Sequence, residues 1–358
     1  MKRFMHKKAI CLVLVLLLTL LAVGCGKTQV SGTKNAGEPA DKIKFNVGYL
    51  PAVGHVLYFV AQEKGFFDQE GLDVELFQFT NSGEGLNAIK SGKLDTGSFG
   101  TAAPLTFIAK GTPFVIYGGM QSEGHGVVTK PAQAERFKTP QGFVGAKVAT
   151  VRLATGDAVW RYGLSQAGID WKSQVTIQEL DSPAAVLEAV KKGSADAGLV
   201  WVPFTEMAEQ QGLKTVQWST QFLDGHVCCR LVALESNIRE KQEGFVRFSR
   251  ALIRAYDFYL NNQQETVEIL SKYVKLDKAL LEKAAYSGHI HSIPDPDKRR
   301  VEAFWNAMRG AGYIQSEQDI GKSVDTQIYQ QALSQLRARY PQNKTYLQLE
   351  QDFAKNNL

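Results

Sequence analysis

The sequence predicts an α/β protein built from two similar lobes. The main evidence is a segment that occurs twice, as Ala88–Gly97 and as Ala189–Gly198. Each copy reads as the end of an amphipathic helix, a capping glycine (Gly92 or Gly193) and an aspartate that precedes a buried strand. Further strand and helix patterns alternate on both sides of each copy. Because a solenoid needs three or more repeats at a short period, one distant repetition predicts two lobes of the same design.

The first lobe opens with alternating apolar residues that predict a strand, which stops at Leu50-Pro51. A helix that Gly65 caps follows, and Ser82 opens the helix of the first repeat copy. The predicted elements are strands at 43–49, 74–79, 95–99 and 114–117 and helices at 56–64, 82–91 and 101–110. This order predicts a parallel sheet with helices on both faces.

The second lobe repeats the scheme. Its predicted elements are strands at 147–151, 175–180, 196–200 and 214–217, helices at 157–166 and 203–210, and the helix of the second repeat copy, which carries Leu187 and Val190 and ends at Gly193. A β-rich run then covers Val227–Leu234, and the remaining chain is almost wholly helical, with apolar stripes such as Phe245, Phe248 and Leu252.

Stripes of this kind need a sheet to cover, so we expect the chain to leave lobe 1 near Gly118–Val128 and to return through Val227–Leu234. Two crossing segments imply a hinge and a cleft between the lobes. The predicted domain boundaries are 42–126 and 227–340 for lobe 1, 127–226 for lobe 2, and 341–358 for a C-terminal helical tail.

The charge balance gives no reason to expect a nucleic-acid partner. The chain of 358 residues has a formal net charge of +5, with 44% hydrophobic and 22% charged residues. Four of the basic residues, Lys2, Arg3, Lys7 and Lys8, lie in an N-terminal segment without acids, so 5 − 4 leaves +1 for the rest.

That N-terminal segment is predicted to be a lipoprotein signal peptide at residues 1–24. Basic residues precede an apolar run, Ala9–Val23, that is too short for a comfortable membrane span. The run ends in Leu21–Cys25, which resembles the lipobox of bacterial lipoproteins, although Ala22 replaces the more usual leucine. We expect Cys25 to be lipid-modified and 25–41 to be a flexible tether. The alternative is an ordinary cleaved signal peptide with an incidental cysteine.

Two neighbouring cysteines, Cys228 and Cys229, are left for the folded part. Strand alternation predicts that they point to opposite faces. A disulfide between adjacent residues is strained, so none is expected. His226 beside them and the run His289–Asp295 both suggest a metal site, but ligand spacing is poor, and buried structural thiols are the favoured interpretation.

Four motifs carry a family resemblance: Gly48–Pro51, Ala61–Glu75, Gly92–Gly97 and Gly111–Pro113. Together they make the region from 43 to 310 similar to the substrate-binding proteins of ABC importers for nitrate, aliphatic sulfonates and taurine. The resemblance implies a periplasmic-binding-protein type II fold, in which two α/β lobes, joined by two crossover segments, close on a ligand in the cleft. It also implies a bacterial source, and partners in an ABC permease and its ATPase subunits.

The sequence departs from this family at two places. The second lobe of the family often carries Trp-Glu-Pro before a helix, whereas this chain has Trp201-Val202-Pro203. The missing glutamate argues against a ligand whose amine or ring nitrogen that carboxylate would receive. Arg152 stands at a strand end where the family more commonly has a small or apolar residue.

The candidate ligand site follows from the position of the strand ends. In open α/β sheets, ligands bind beyond the carboxyl ends of the strands, where helix N-termini offer free N–H groups. The candidate ligand-binding residues are Tyr49, Pro51, His55, Ser82, Gly83, Gly100, Thr101 and Ala102 from lobe 1, Arg152, Thr155, Gly156, Asp157 and Trp201 from lobe 2, and Cys228 from the crossing strand. The hydroxyls of Ser82, Thr101 and Thr155 would donate to an oxyanion.

Each candidate also has a structural interpretation. Arg152 either binds an anion or pairs with Asp157 or a surface acid, and Trp201 is either a cleft wall or core packing. Asp95 and Asp196, which occupy the same place in the two repeat copies, are interpreted as structural.

The favoured function is a monomeric, extracytoplasmic solute-binding lipoprotein without catalysis, cofactor or metal, held at the membrane by its lipid anchor. The predicted solute is a sulfonate, taurine, nitrate or a similar oxyanion. One alternative is a pyrimidine, a thiamine precursor or another heteroaromatic solute, and a second is a ligand-sensing receptor subunit. A pyrimidine-precursor synthase resembles the same fold, but it belongs in the cytosol, whereas this leader directs export.

Overall fold

A computed structural model describes residues 42–358. The predicted signal peptide (1–24), the lipid-modified Cys25 and the tether (25–41) lie outside the described residues. The described residues belong to one compact unit. Within residues 42–358, no helix has the length and apolar character needed to cross a membrane.

Strands and helices alternate through the first two thirds of the described chain, and helices dominate the last third. The strands are β1 (Ile43–Tyr49), β2 (Leu72–Gln78), β3 (Thr96–Gly100), β4 (Phe114–Glu123), β5 (His125–Thr129), β6 (Lys147–Val151), β7 (Thr176–Leu180), β8 (Ala197–Trp201), β9 (Lys214–Trp218), β10 (Val227–Leu234) and β11 (Ile290–Ser292). The α-helices are α1 (Val56–Glu63), α2 (Phe66–Gln69), α3 (Ser82–Lys90), α4 (Ala102–Ala109), α5 (Thr155–Gln166), α6 (Trp171–Gln174), α7 (Pro183–Lys192), α8 (Phe204–Gln210), α9 (Glu235–Glu240), α10 (Gln242–Asn261), α11 (Gln263–Tyr273), α12 (Lys278–Tyr286), α13 (Lys298–Gly310), α14 (Gln327–Arg339) and α15 (Lys344–Asn357).

The strands form two sheets of the same plan. The six-stranded first sheet has the order β11-β4-β10-β3-β1-β2, and the five-stranded second sheet has the order β7-β6-β8-β5-β9. In the first sheet β1 runs parallel to β2 and β3, and β10 lies antiparallel between β3 and β4. In the second sheet β6 runs parallel to β7 and β8, and β5 lies antiparallel between β8 and β9.

The predicted parallel arrangement is confirmed for β1–β4 and β6–β9, whereas β5, which was not predicted, and β10, for which no direction was predicted, run antiparallel to them. Strands joined by a helix enter a sheet from the same end and run parallel. The strands β5 and β10 instead follow the two crossings between the sheets, so each enters its sheet from the opposite end.

The repeated segments take equivalent places in the two sheets. The carboxylate of Asp95 accepts a hydrogen bond from the backbone N–H of Asn46 at 2.9 Å, and that of Asp196 accepts one from the N–H of Lys147 at 2.8 Å. Asn46 and Lys147 belong to β1 and β6, which each lie second from one edge of their sheet. The predicted structural role of both aspartates is confirmed.

Two crossings connect the sheets, as predicted. The first is at Glu123 and Gly124, whose φ angles of 63° and 91° lie in the left-handed region and turn the chain sharply. The second lies between β9 and β10. The two crossings bind each other, because the N–H of Glu123 donates to the carbonyl of His226 at 3.1 Å and the N–H of Gly225 donates to the Glu123 carboxylate at 2.8 Å.

The C-terminal helices cover the first sheet through their apolar stripes. Phe245 and Phe248 of α10 are buried and pack on Phe45 of β1, with ring centroids 5.0 and 5.6 Å apart respectively. The helix α13 contacts α5 beside the second sheet as well as α15, so the helical third touches both sheets. The exact domain boundaries stay a prediction.

Candidate functional site

A cleft, partly open to solvent, lies between the two sheets at the strand ends, and its free volume of about 20 Å³ in this conformation has room for about one water molecule. Both sheets and the crossing strand β10 contribute to its walls. The lining residues are Leu50, Ala52, His55, Ser82, Gly100, Gln121, His125, Val151, Arg152, Ala154, Thr155, Trp201, Cys228 and Cys229.

The structure brings part of the predicted site together. The predicted residues that line the cleft are His55, Ser82, Gly100, Arg152, Thr155, Trp201 and Cys228. The predicted residues that do not line it are Tyr49, Pro51, Gly83, Thr101, Ala102, Gly156 and Asp157. Several of these lie directly behind the walls. The hydroxyl of Thr101, for example, is buried and donates to the Cys228 carbonyl.

Asp157 faces away from the cleft and is fully buried. It accepts hydrogen bonds from Arg161 at 2.9 Å and from the hydroxyl of Tyr313 at 3.3 Å. Burial raises the pKa of Asp157, although the attraction of Arg161 acts in the opposite direction. Because a helix turns by roughly 100° per residue, Asp157 lies on the opposite side of α5 from Thr155, which faces the cleft.

Arg152 does not pair with Asp157 but lies beside a surface acid, Glu179, which was the other partner considered from the sequence. Its Nε lies 3.9 Å from Oε2 of Glu179, and 62% of its side chain is exposed. It reaches the cleft only as part of the rim, where water competes for its charge. The geometry therefore offers a weak anion clamp.

Thr155 joins the two sheets across the cleft. Its hydroxyl accepts a hydrogen bond from the N–H of Ala102, the first residue of α4, and donates one to the carbonyl of Cys228, both at 3.3 Å. Gly100 allows this approach, since a Cβ there would lie 3.0 Å from the Thr155 hydroxyl. One N–H of the α4 N-terminus, that of Ala102, is thus already bonded to a neutral side chain, whereas the N-terminus of α5 has no side-chain cap.

The two histidines of the cleft are uncharged near neutral pH. Burial lowers the pKa of His55 to about 4, against the opposing effect of its hydrogen bond with Ser98. Burial, and then the neighbouring His226, lower the pKa of His125 to about 3.

The hydrogen bond of His55 also fixes its tautomer. Its Nε2 lies 2.9 Å from the carbonyl oxygen of Ser98, which can only accept. The proton is therefore on Nε2, and Nδ1 is a bare acceptor, buried and without a partner.

Gln121 is a cleft residue that the sequence reasoning missed. The predicted strand ended at Tyr117, whereas β4 continues to Glu123 and carries Gln121 to the cleft. The side chain donates to the carbonyl of Glu123 at 2.8 Å. It fits only because residue 54 is glycine, since a Cβ on Gly54 would lie 1.3 Å from the Gln121 side-chain oxygen.

Cys228 and Cys229 both line the cleft, so the prediction of opposite faces is wrong. The register of β10 against β4 shifts on both sides of Cys229, which breaks the alternation of side chains. The two sulfur atoms lie 3.5 Å apart, and both thiols are free and buried. Burial raises the pKa of Cys228, so this thiol is protonated at neutral pH.

Trp201 ends β8 and forms one wall of the cleft. Its ring packs edge-on against His125 at 6.5 Å and against Phe204 at 5.9 Å. It is partly exposed, which leaves part of the ring free to contact a ligand. Among residues 42–358, no group of three or more histidine, cysteine, aspartate or glutamate side chains is arranged to hold a metal ion.

The sequence has relatives among curated proteins. Residues 38–274 match the NMT1-like family. A "Putative binding protein" of Brucella abortus (strain 2308) is 28% identical over 253 residues, which cover 70% of this chain and 77% of the relative. A 4-amino-5-hydroxymethyl-2-methylpyrimidine phosphate synthase of Saccharomyces cerevisiae, THI11, is 37% identical over 73 residues, which cover 20% of this chain and 22% of the synthase.

Solved structures share the fold at low sequence identity. The ligand-binding component of an ABC-type import system from Staphylococcus aureus superposes with a TM-score of 0.71, at 18% identity over 81% of this chain and 99% of the neighbour. The periplasmic aliphatic sulphonate binding protein SsuA from Escherichia coli gives a TM-score of 0.66, at 18% identity over 80% of this chain and 99% of SsuA. These likenesses establish the periplasmic-binding-protein fold predicted from the sequence.

Proposed function

The chain belongs to the NMT1-like family, and from this membership we propose that it is the solute-binding protein of an ABC importer. The Brucella relative is described as a binding protein, and the structural neighbours include binding components of import systems. The proposed sequence of events is capture of a small solute in the cleft, closure of the two sheets around it, and delivery to a membrane permease.

We further propose that the protein works outside the cytoplasm, anchored through a lipid on Cys25. The support is the basic and apolar leader followed by Leu21–Cys25. Globomycin, which blocks lipoprotein signal cleavage, should cause an unprocessed precursor to accumulate, and Cys25→Ser should abolish palmitate labelling. A Cys25→Ser protein that still carries label would contradict the anchor.

For the solute, the walls of the cleft favour an uncharged molecule over the oxyanion. The observation that carries this choice is the Thr155 hydroxyl, which already bonds the N–H of Ala102 at the start of α4. The two cleft histidines are neutral, and Arg152 is exposed beside Glu179. An anion moved from water into this cleft would lose its hydration without gaining hydrogen bonds or ion pairs of equal strength.

Within this class we propose a neutral heteroaromatic solute, the first alternative from the sequence. Val202 stands where the family often has the glutamate that would receive an amine or ring nitrogen, so in this chain Gln121 or His55 would take that role. The exposed part of the Trp201 ring offers a surface for stacking, and the Gln121 amide and the His55 ring offer hydrogen-bonding groups. The partial match to a synthase whose name includes a pyrimidine points to the same ligand class. We do not extend the synthase activity to this chain, because the match covers 20% of it.

Calorimetric titration of the purified protein tests the choice. The probes are the uncharged 4-amino-5-hydroxymethyl-2-methylpyrimidine and the anions ethanesulfonate and nitrate. We expect heat with the pyrimidine, and Trp201→Ala should weaken affinity roughly two- to tenfold through lost stacking. Arg152→Ala is the matched control and should bind as well as the unchanged protein. Binding of ethanesulfonate that Arg152→Ala abolishes would instead support the oxyanion.

A further inference from the structure

The wall of the cleft carries two adjacent thiols on the same side of a strand. The Sγ atoms of Cys228 and Cys229 lie 3.5 Å apart, and both residues line the cleft. Strand geometry alone would separate them, so the register shift around Cys229 is what brings them together.

A buried arginine holds this part of β10 in place. Arg230 is fully buried, and its guanidinium donates to the carbonyls of Cys229 at 3.0 Å, Gln121 at 2.8 Å and Pro296 at 2.9 Å. These bonds connect β10 to β4 and to the loop after β11. The thiol pair is therefore positioned by the fold.

We propose that Cys228 and Cys229 form a chelating site for a trivalent arsenical, a thiophilic centre with two exchangeable oxygen bonds. Arsenic(III) binds two sulfurs through one bridging atom and leaves them at a non-bonded separation. The present separation of 3.5 Å is of that kind. The thiols lie in the wall of the cleft that is proposed to take the solute, but the argument does not depend on which solute binds there.

A disulfide between the same residues fits less well. It requires a sulfur separation of about 2.05 Å and Cα atoms about 4.4 Å or more apart, whereas residues joined by a trans peptide have Cα atoms about 3.8 Å apart. Oxidation would therefore force the backbone to move. A bridging arsenic atom avoids this backbone movement. It adds one atom to the ring that the two cysteine side chains close, and it keeps the two sulfurs at a non-bonded distance.

The reaction balances without an oxidant or a reductant. With phenylarsine oxide, two As–S bonds form and two S–H bonds break, and the arsenic-bound oxygen leaves with both protons as one water molecule. The protonated state of Cys228 does not prevent this, because the thiol proton departs in that water. Arsenic stays trivalent throughout.

The test treats the full chain with phenylarsine oxide and measures intact mass under native conditions. We expect one arsenical bound per chain with loss of one water, release by 2,3-dimercaptopropanol, and little release by glutathione. Cys228→Ser and Cys229→Ser should each make release by glutathione at least on the order of a hundredfold faster, because the second bond no longer holds the arsenic nearby.

Two further measurements separate this site from other thiols and from unfolded chains. The double variant Cys228→Ser/Cys229→Ser keeps Cys11 and Cys25, so a stable adduct in it would overturn the proposal. Adjacent cysteines can also chelate arsenic in an unfolded chain. If the fold preforms the site, the folded chain binds the arsenical more tightly than the unfolded chain does, and the adduct should raise the melting temperature. A lowered melting temperature, or no adduct on the folded wild-type chain, would refute a preformed site.

Discussion

The repeated aspartates allow one structural role to be tested twice within a single molecule. Asp95 and Asp196 each bind a backbone N–H of the neighbouring parallel strand, at 2.9 and 2.8 Å. They differ in two respects, since the bond of Asp95 is partly buried and its carboxylate also contacts Lys241 at 2.7 Å. We expect both Asp196→Ala and Asp95→Ala to destabilise the protein, and Asp95→Ala to do so more.

The size of each effect follows from these contacts. A hydrogen bond to a charged group contributes about 1.5–3 kcal/mol, and water can replace the partner of an exposed N–H. The bond at Lys147 is exposed and the bond at Asn46 is partly buried, so Asp196→Ala should cost about 1.5 kcal/mol and Asp95→Ala about 2–3 kcal/mol. The partly exposed Lys241 contributes up to about 1 kcal/mol of the difference.

Hydrogen exchange read by mass spectrometry is the assay, because the two sheets need not unfold together. Asp196→Ala should speed exchange in β6, and Asp95→Ala in β1. Lys241→Gln is the matched control that removes the ion pair and keeps the backbone bond, so it should account for part of the extra cost of Asp95→Ala. The reasoning fails if Asp196→Ala leaves exchange in β6 unchanged, or if either substitution acts only in the other sheet.

Three further predictions concern the cleft and the crossings. Gly54→Ala should displace the Gln121 side chain and lower the free energy of unfolding by about 1–3 kcal/mol. A second substitution, Gln121→Ala, should restore part of the lost melting temperature, and no recovery would mean that the clash lies elsewhere. Thr155→Val should remove the hydrogen bonds that join the sheets and lower the free energy of unfolding by about 1 kcal/mol. X-ray scattering should then report a larger radius of gyration, and an unchanged radius would contradict this role of Thr155. The hydrogen bond from His291 to the Glu123 carboxylate raises the histidine pKa, so its stabilisation is present below the ordinary value of about 6.5 and is lost as pH rises through the raised value. His291→Gln should therefore destabilise the protein, by less than about 1 kcal/mol, only at the lower pH, and equal destabilisation at about pH 9 would contradict the ion pair.

The sequence was sufficient for the local elements and for the repeated design. Apolar periodicity located most strands and helices within a few residues, although it missed β5 and ended β4 at Tyr117. The glycines after the repeat helices take the expected left-handed φ angles, 75° at Gly92 and 77° at Gly193. These features depend on neighbours in the chain, which the sequence displays directly. The direction of β5 and β10 depends on the crossings, and no local pattern encodes it.

The site was harder to predict because it depends on contacts between distant segments. A helix N-terminus suggested both Thr155 and Asp157, and only the rotation of α5 against the first sheet decides which of them faces the cleft. The irregular register around Cys229 has no signature in its own residues. Gln121 was missed because a partner strand, β10, extends β4 beyond its apolar run.

The antiparallel place of β10 constrains the order in which the protein is assembled. The second sheet uses residues 125–218, a continuous stretch, so it can form as soon as that stretch is available. The first sheet needs β10 between β3 and β4, and until Val227–Leu234 arrives these two strands have open edges that could pair with another chain. A chain is synthesised from its N-terminus, so the first sheet, whose strands are made first, is the last to be completed. Refolding should thus show fast protection of β6 and β8 and slow protection of β3 and β4, and chains truncated before residue 227 should aggregate.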